Sequence, residues 1–505
     1  MKPEATGRSG LARSITTPVN RITKRVLNIA RQSKMNMCSR RSFALAVLTF
    51  LDLTLIGQSP AQTFKTLHSF SSSDGVRPYG GLVLSGGTLY GTTYGTGPRT
   101  GQEGTIFSIN TDGTGFRTLY RFTGGADGSG PTAALISSGN VLYGTTIHGG
   151  TSGVGTVFSI NNDGTGFTNL YGFSGGSDGS EPYSVLLLES NMLYGTTHMG
   201  GDYGRGTVFG VNTDGTGSTT LYSFTGGSDG AIPFSKLVLF NASLIGTAPG
   251  GGNANNGTVF AVGLDGTSFT NLYSFAASPT QSYSTNSDGS LPYAGLVLFD
   301  KTLYGAAPAG GSGGEGTVFK VNTDGSSFTV LYNFTATSNG TNIDGSSPGY
   351  IGGELTLSGG KLYGPTGGGS SGNGTVFTIN TDGTGFTTLH SFSGGAGGSG
   401  PNGSLVFASN ALYGTTSRNS NSGSGNGTIF RITLPSTQPQ LTITASGPNT
   451  ILTWPTYFTR FTLESTTNLA SPVWTTDLPA PVVVNGQNTV TNVISGTQRF
   501  YRLAQ

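Results

Sequence analysis

Six aspartates at equivalent positions of a repeated segment are the residues of this 505-residue chain best suited to bind a ligand. Each is followed at once by glycine and, a few residues later, by proline. The six are Asp74, Asp127, Asp178, Asp229, Asp288 and Asp344. Carboxylates brought together from successive repeats could coordinate a cation or accept hydrogen bonds from a polar ligand. Alternatively, each aspartate orders its own loop and each proline fixes the backbone that follows.

Two histidines are further candidate ligand-binding residues. His148 and His198 lie in equivalent connections of adjacent repeats, offset by one position. Zinc sites use three or four protein ligands, and no third ligand accompanies this pair, so we predict no metal site. The remaining histidines, His68 and His390, replace the tyrosine of a repeated signature and are predicted to be structural aromatic substitutes.

Short Asn-x-Asp-Gly segments resemble calcium-binding loops, which makes calcium the one cofactor to consider. Their aspartates are Asp112, Asp163, Asp214, Asp324 and Asp382. A calcium-binding hand needs a later bidentate glutamate, which these segments lack. Asp and Asn bond to the backbone that follows them in tight turns, so we interpret the segments as hairpin turns and predict no cofactor.

Motifs of the common hydrolase classes are missing from the sequence. It contains neither a Gly-x-Ser-x-Gly elbow on a strand-to-helix turn nor a helical His-Glu-x-x-His. A glycosidase would need paired carboxylates, and the candidate glutamates do not recur in register. These are Glu103, Glu181, Glu189, Glu315 and Glu354. The sequence therefore favours a non-catalytic protein over an enzyme.

Three signatures recur seven times each and define the elements that must position these residues. Gly-Thr-Val/Ile-Phe begins at Gly104, Gly155, Gly206, Gly257, Gly316, Gly374 and Gly427. Leu-Tyr-Gly, or Leu-Ile-Gly once, begins at Leu89, Leu142, Leu193, Leu244, Leu303, Leu362 and Leu412. Leu-Tyr/His-x-Phe begins at Leu67, Leu119, Leu170, Leu221, Leu272, Leu331 and Leu389.

Each period of about 50 residues contains four candidate strands, here called a, b, c and d. One period predicts them at 184–188, 192–197, 206–212 and 219–224. Four antiparallel strands in a kelch-like period are typical of a β-propeller blade. A parallel β-helix is the alternative, but its shorter coils do not require a hairpin in every period. The fold class is therefore predicted as an all-β, seven-bladed β-propeller spanning residues 62–434.

The two ends of the repeat array predict how the ring closes. The chain enters on a lone d strand at 63–70, passes through six complete sets, and finishes with strands a, b and c. Seven blades result if the first strand pairs beside residues 428–434, which also removes two open sheet edges.

Loop lengths separate the two faces of the predicted propeller. The a-to-b and c-to-d turns are short and uniform, whereas the b-to-c and d-to-a connections vary and lie together on the opposite face. The longest of these, 276–292 and 335–348, flank one blade. Since loops carry function more often than scaffolds do, this variable face is the predicted ligand-binding surface.

The pattern of seven Gly-Thr-Val/Ile-Phe and Leu-Tyr-Gly copies resembles the bacterial GloVer tandem-repeat family over residues 63–434. The resemblance implies an exported repeat protein with an alternative C-terminal anchoring or sorting module. It implies no activity and no catalytic residues. This chain also lacks a hydrophobic C-terminal anchor followed by basic residues.

Beyond a polar linker at 435–440, residues 441–505 contain six short strand-like runs and both tryptophans. We predict a small β-sandwich of immunoglobulin or fibronectin type with Trp454 in its core. A sorting signal, a carbohydrate-binding module and a simple spacer or cap remain alternative roles for it.

Residues 1–61 have the features of a secretory leader. Basic residues precede an apolar run at 43–56, and Ser59 and Ala61 suit cleavage after residue 61. Arg40 and Arg41 also fit a twin-arginine export signal. Translation could begin at Met35 or Met37. The run is too short for a permanent membrane anchor, so we predict an exported protein with no transmembrane segment in the mature chain.

Charge adds information about partners. The formal charge of +2 is unevenly distributed along the chain. The leader has ten basic and two acidic residues, whereas the rest of the chain has fifteen basic and twenty-one acidic residues. An acidic mature chain without a basic stripe argues against nucleic acid. The only cysteine, Cys38, lies in the leader.

We expect a monomer of the envelope or extracellular space that binds a glycan or a protein. A polysaccharide hydrolase or lyase and a structural surface component are the alternatives.

Overall fold

The computed structural model describes residues 62–96, 103–278, 285–338, 342–350, 353–419, 425–434, 441–446, 449–455, 461–468, 472–476, 478–484, 487–493 and 499–504. The predicted leader (1–61) and linker (435–440) lie outside these residues. The described chain is all-β, as predicted, and its one helical element is a single 3-10 turn at Gly395–Gly397. Within these residues no helix is long and apolar enough to cross a membrane.

Strand β1 (Thr63–Ser69) is followed by six four-stranded antiparallel sheets, named I to VI in chain order. Sheet I has β2 (Val83–Ser85), β3 (Thr88–Thr93), β4 (Thr105–Asn110) and β5 (Arg117–Arg121). Sheet II has β6 (Ile136–Ser138), β7 (Val141–Thr146), β8 (Thr156–Asn161) and β9 (Thr168–Gly172). Sheet III has β10 (Leu187–Glu189), β11 (Met192–Thr197), β12 (Thr207–Asn212) and β13 (Ser218–Ser223).

The next three sheets repeat the same order. Sheet IV has β14 (Val238–Phe240), β15 (Ser243–Ala248), β16 (Thr258–Gly263) and β17 (Phe269–Ser274). Sheet V has β18 (Val297–Phe299), β19 (Thr302–Ala307), β20 (Thr317–Asn322) and β21 (Thr329–Asn333). Sheet VI has β22 (Thr356–Ser358), β23 (Lys361–Thr366), β24 (Thr375–Asn380) and β25 (Thr387–Ser391).

Sheet VII joins the two ends of the repeat array. It contains β26 (Ser399–Pro401), β27 (Val406–Ala408), β28 (Ala411–Arg418) and β29 (Thr428–Thr433). Strand β1 pairs antiparallel with β29, and the register runs from Thr63 opposite Thr433 to Ser69 opposite Thr428. The predicted pairing of the first strand with residues 428–434 is therefore present.

One packing contact explains two of the repeated signatures. The glycine of Leu-Tyr-Gly lies directly opposite the phenylalanine of Gly-Thr-Val/Ile-Phe on the neighbouring strand, as Gly144 lies opposite Phe158. A Cβ at Gly144 would be 2.6 Å from Cζ of that ring. The phenylalanine ring thus covers a glycine that has no side chain of its own, a known way to stabilise glycine within a sheet. Phe158 is fully buried as a result.

Apolar clusters join each sheet to the next. For example, Val157 and Phe173 of the second repeat share a cluster with Leu193 and Phe209 of the third. Another cluster joins the ends of the array, because Phe70 and Phe107 pack with Tyr413 and Ile429. Sheets that pack face to face in succession around a shared centre give an all-β, propeller-like fold, and the prediction of that class is confirmed.

The first strand of each sheet is shorter than predicted. In the third repeat it begins at Leu187 rather than Ser184. The Ser184 hydroxyl accepts a hydrogen bond from the backbone N–H of Thr196 at 2.8 Å, so its side chain replaces the expected backbone ladder. Ser235 makes the same contact with the backbone of Thr247.

The C-terminal segment contains two further antiparallel sheets. Their strands are β30 (Thr442–Ser446), β31 (Asn449–Pro455), β32 (Thr462–Thr466), β33 (Val482–Val484), β34 (Gln487–Val493) and β35 (Phe500–Ala504). Strands β30, β31, β34 and β33 form one sheet, and β32 and β35 form the other. Leu452, Trp454 and Val490 of the first pack with Leu463 of the second. Trp454 is buried, as predicted.

Candidate functional site

The six predicted ligand-binding aspartates accept hydrogen bonds within their own repeats. The donor is the tyrosine hydroxyl of Leu-Tyr-x-Phe in five repeats and the imidazole of His68 in the first. The pairs, separated by 2.6 to 3.1 Å, are His68–Asp74, Tyr120–Asp127, Tyr171–Asp178, Tyr222–Asp229, Tyr273–Asp288 and Tyr332–Asp344. These tyrosines belong to the fourth strand of each sheet, so the carboxylates are held at the strand farthest from the first. Binding of an external ligand by the six aspartates stays a prediction.

The hydrogen bonds to Asp178 show how such a carboxylate is held. Its two oxygens accept bonds from the Ser174 N–H at 2.7 Å, the Ser174 hydroxyl at 2.5 Å and the Tyr171 hydroxyl at 2.8 Å. Burial raises the pKa of Asp178, but the hydrogen bonds from Ser174 and Tyr171 outweigh it and hold the pKa below its ordinary value. In the first complete repeat, burial and the Asp127 charge raise the pKa of Tyr120 to about 12.

Asp178→Asn is expected to destabilise the fold by about 1–3 kcal/mol, because the new amide group would face donors that need an acceptor. The matched control is Asp163→Asn in the exposed hairpin turn, where one oxygen accepts from the N–H and hydroxyl of Thr165. Asparagine suits that turn, so the control should change stability by less than about 0.5 kcal/mol. Urea unfolding at pH 7 measures both.

The lowered pKa of Asp178 also fixes a pH dependence. A carboxylate whose folded pKa is depressed stabilises the fold above its unfolded pKa, and this contribution is lost as pH falls through the folded value. The difference between wild type and Asp178→Asn should therefore be present at pH 7 and shrink below about pH 4. A difference that stays constant down to pH 2 would contradict the assigned hydrogen bonds.

The remaining turn aspartates behave as predicted for hairpins. Each accepts a hydrogen bond from the backbone N–H two residues later, in the turns of Asp112, Asp163, Asp214, Asp324 and Asp382. Within the described ranges, no group of three or more His, Cys, Asp or Glu side chains is placed to hold a metal ion.

Of the four histidines, two are structural and two lie in loops. His68 stacks on Phe116 at 3.7 Å and His390 on Phe64 at 3.9 Å between ring centroids, which confirms both as aromatic substitutes. Burial lowers the pKa of His390. His148 lies on a b-to-c connection whose backbone bridges to Ser129 on the d-to-a connection.

His198 occupies a different environment from His148. Its ring lies edge-on to Tyr183 and Phe234, and its Nδ1 is 3.4 Å from Oε2 of Glu181. Because the b-to-c and d-to-a connections bridge each other in several repeats, they share one face, as predicted. Because its ring contacts Tyr183 and Phe234, His198 belongs to a cluster of side chains on this face.

That cluster is aromatic and arises from one repeat position. The residue after the proline of the d-to-a connection is Tyr79, Tyr183, Phe234 or Tyr293 in four of the seven repeats. The Tyr183 and Phe234 rings stack at 4.5 Å, and Phe234 meets Tyr293 edge-on at 5.6 Å. The contacts continue to Tyr350, whose surface is 54% exposed.

We call this cluster the aromatic mouth. It comprises Tyr79, Tyr94, Tyr183, His198, Phe234, Tyr293 and Tyr350. Burial raises the pKa of Tyr183 to about 12, with smaller contributions from Glu181 and Tyr94. Its phenol therefore stays neutral at physiological pH and can donate a hydrogen bond.

Two cavities share lining residues such as Lys236, and the first of them is also lined by residues of the aromatic mouth. The first, the neck, is lined in part by Tyr79, Tyr183, Phe234 and Lys236 and has a volume of about 20 Å³, enough for one water molecule. The second, the channel, has a volume of about 810 Å³. Residues of the first strands of sheets I to VI, together with Leu405 of sheet VII, line the channel.

Lys236 and Glu354 are the only charged side chains among the described residues that line these cavities. Lys236 Nζ lies 3.6 Å from Glu354 Oε2, an ion pair slightly too long for a hydrogen bond. Glu354 is 8% exposed, and its Oε1 has no hydrogen-bond partner within the described chain. Burial raises the pKa of Glu354, and Lys236 only partly offsets this.

Comparing the repeat positions of glutamates only with those of other glutamates does not predict this pair. Lys236 and Glu354 occupy the same repeat position, two residues before the first strand of their sheets. The other repeats have Gly81, Ala134, Val185, Gly295 and Ser404 there. A Cβ at Gly295 would lie 2.7 Å from Glu354 Cγ, so this glycine leaves the space through which Glu354 approaches Lys236. Opposite charges at one repeat position were the available signal.

Comparison with known families identifies the repeat. The chain matches the family described as Gloeobacter/Verrucomicrobia repeat over residues 54–189, 163–287 and 280–453. Most of the chain is thus covered by three consecutive matches. None of the curated proteins is similar to it at a significant level.

Several solved structures are similar in fold at low sequence identity. An oligogalacturonate lyase in complex with manganese has 11% identity and a TM-score of 0.45, covering 74% of this chain and 97% of the lyase. An oligogalacturonate lyase from Vibrio parahaemolyticus has 9% identity and a TM-score of 0.44, covering 74% and 98%. A chain of the nidogen/laminin complex has 14% identity and a TM-score of 0.35, covering 58% and 92%.

Proposed function

The chain belongs to the Gloeobacter/Verrucomicrobia repeat family, and on that premise we propose that it is an exported, non-catalytic protein that binds a glycan at the aromatic mouth. The observation that carries the proposal is the continuous row of ring contacts from His198 through Tyr183, Phe234 and Tyr293 to Tyr350. It lies on the face formed by the longer connections.

Aromatic side chains suit sugars because they offer both an apolar face and a polar edge. The C–H face of a pyranose ring can pack on Phe234, while tyrosine hydroxyls can bond to the sugar hydroxyls. Ligand sites commonly combine such apolar surfaces with a few polar groups. A protein partner would instead need a larger contact area.

Phe234→Ala is expected to weaken glycan binding by roughly 30-fold, since a central aromatic contact contributes about 2 kcal/mol or more at a binding hot spot. Phe234 contacts Tyr183, His198 and Tyr293, so its loss interrupts the row at its centre. A glycan array first selects an oligosaccharide, and calorimetric titration then compares the variant with wild type.

The matched control is Tyr203→Ala. Tyr203 is 61% exposed and, within the described residues, makes no ring contact with the aromatic mouth. This variant should bind as tightly as wild type. Equal losses in both variants, or binding unchanged by Phe234→Ala, would place the ligand elsewhere. An array with no glycan hit, together with a saturable protein partner, would replace the glycan with a protein ligand.

An enzymatic role is the second candidate, favoured by the Lys236–Glu354 pair. A buried carboxyl group with a raised pKa beside an ammonium group in a cavity is the kind of pair that acid–base chemistry uses. The enzyme would be a hydrolase or lyase that acts on a polysaccharide. Release of new reducing ends or unsaturated sugars from a bound glycan, abolished by Glu354→Gln, would support the enzyme and contradict the binding-only proposal.

We propose that the repeat array is a closed, seven-bladed propeller with the N-terminal strand completing the last blade. Support comes from the β1–β29 pairing and from the cluster that joins Phe70 and Phe107 to Tyr413. We propose likewise that the C-terminal segment is a small β-sandwich, because its two sheets share the buried residues Leu452, Trp454 and Leu463.

Export is the remaining part of the proposal and rests on the leader sequence. A basic segment with Arg40 and Arg41, the apolar run at 43–56 and a cleavage site after Ala61 support delivery to the envelope or the extracellular space.

A further inference from the structure

We propose that the neck binds the carboxylate of an acidic sugar, so that the glycan ligand contains uronic-acid-type residues. This inference rests on the proposed glycan function and names the ligand class of the same site. The sugar ring would pack on the aromatic mouth, and its carboxylate would take the place of a water molecule beside the Lys236 ammonium group.

The position of Lys236 supports this arrangement. Lys236 lines both the neck and the channel, two residues after Phe234 of the aromatic mouth. A third of its side chain is exposed, compared with 11% for its partner Glu354. An anion that enters the neck therefore reaches the ammonium group without first meeting the glutamate.

The carboxyl group of Glu354 has an oxygen that accepts no hydrogen bond from the described residues. Its Oε1 is buried with no partner in the described chain, and its Oε2 is 3.6 Å from Lys236 Nζ. Buried polar atoms without partners are uncommon in proteins and point to a missing bonding group. A protonated Glu354 could donate a hydrogen bond to the same ligand carboxylate that Lys236 binds.

Among the described residues that line the neck, Lys236 is the only charged one, so no other charge there can select an acidic ligand. The side chains nearest Glu354 from the adjoining loops are uncharged: Gly295, and Ser404, whose hydroxyl accepts the Glu354 N–H at 3.3 Å. At the mouth, the charges of Arg77 and of Glu103 and Glu181 act on the tyrosines with opposite signs. Discrimination between acidic and neutral sugars must therefore come from Lys236.

The test compares a uronic-acid oligosaccharide with its carboxyl-reduced, neutral counterpart of equal length, titrated calorimetrically into the full-length protein. We expect about tenfold tighter binding of the acidic form at pH 5, because a partly desolvated ion pair is worth more than an exposed one. Lys236→Gln should remove this preference and leave neutral binding intact. The control variant is Arg77→Gln, which removes an exposed cation. It should keep the preference for the acidic oligosaccharide.

The pH dependence gives an independent readout. Sugar carboxylates have ordinary acidic pKa values and stay ionised at pH 5. Because burial raises the pKa of Glu354, this carboxyl group is protonated before the sugar carboxylate as pH falls. Its negative charge beside Lys236 is then lost first, so the preference should increase as the pH is lowered from 8 to 5. Glu354→Gln carries no charge at either pH and should show the full preference at both.

The outcomes separate the two levels of the proposal. Equal affinity for the acidic and neutral forms, or a preference that survives Lys236→Gln, overturns the neck assignment and leaves glycan binding standing. Failure of the full-length protein to bind either oligosaccharide or any arrayed glycan overturns both. Thermal melting of Lys236→Gln and Glu354→Gln verifies that each variant is folded before it is titrated.

Discussion

Removing residues 62–70 is expected to destabilise the repeat array by roughly 5 kcal/mol or more and to make the protein self-associate. The reference is a matched protein that begins at Gln62 and so keeps β1. Burying a phenylalanine contributes about 3–5 kcal/mol relative to a truncated side chain, and the deleted segment carries two. Such a loss is a large fraction of the total stability of a typical domain.

The contacts of β1 explain why this short strand matters. Phe70 is 3% exposed and meets Phe107 at 5.1 Å between ring centroids. Phe64 stacks on His390 at 3.9 Å, in the way that Phe167 stacks on Tyr120 within the array. The first strand thus supplies to sheet VII the phenylalanine that five of the other six sheets have at or immediately before their fourth strand, whereas sheet III has Ser218 at that position.

Loss of β1 would also expose the backbone of β29, which now pairs with it along its length. An unpaired edge strand is a template for pairing with another chain. Circular dichroism melting should show a lower and broader transition for the truncated protein, and sedimentation should show dimers or larger species. A synthetic peptide of residues 62–72 should restore the monomer by strand addition.

Equal melting midpoints and a monomeric truncated protein would contradict this prediction. They would mean that sheet VII is stable with β29 as its edge. The contacts of Phe64 and Phe70 would then contribute little to the stability of the array.

Gly155→Ala is the second prediction with a large effect, an expected destabilisation of roughly 2–6 kcal/mol. Gly155 has a φ of +111°, a backbone conformation that residues other than glycine rarely adopt. Such strain costs about 1–3 kcal/mol. A Cβ would also lie 2.5 Å from Cδ of Pro182 and 2.5 Å from the carbonyl oxygen of Thr146. Overpacking of this kind costs about 1–3 kcal/mol more.

The matched control separates strain from steric exclusion. Gly153→Ala changes a glycine two residues earlier that also has a positive φ, +80°, but whose added Cβ would meet no atom within 4 Å. It should cost about 1 kcal/mol, the usual effect of placing alanine in left-handed backbone. Urea denaturation of both variants measures the difference, and similar midpoints would show that the approach of Pro182 does not matter.

The second prediction also explains why glycine and proline recur together. Pro182 leads into sheet III, whereas Gly155 immediately precedes the third strand of sheet II, so their contact joins neighbouring repeats. The same contact joins the ends of the array, where Gly427 of sheet VII faces Pro78 ahead of sheet I. The glycine of Gly-Thr-Val/Ile-Phe is therefore required by the proline of the next repeat as well as by the close backbone approach within its own sheet.

The sequence by itself determined the local architecture of this protein. Period-two apolar residues and Asn-x-Asp-Gly turns specify hairpins, and seven copies of each signature specify repeats, because these patterns depend on residues close together in the chain. Alignment of one repeat with the next predicts that His68 and His390 replace a tyrosine, and both rings stack on a phenylalanine as that prediction requires. The lone first strand predicted its pairing with β29.

Only the tertiary structure decided which residues face the channel. Asp178 was singled out for its repeat position, yet its carboxylate is bonded to Tyr171 on the fourth strand. Lys236 and Glu354 are 118 positions apart and come within 3.6 Å because two repeats bring the same position to the shared channel and Gly295 leaves the space between them. Periodicity places a residue within its own sheet, whereas contacts between different sheets depend on how the sheets pack.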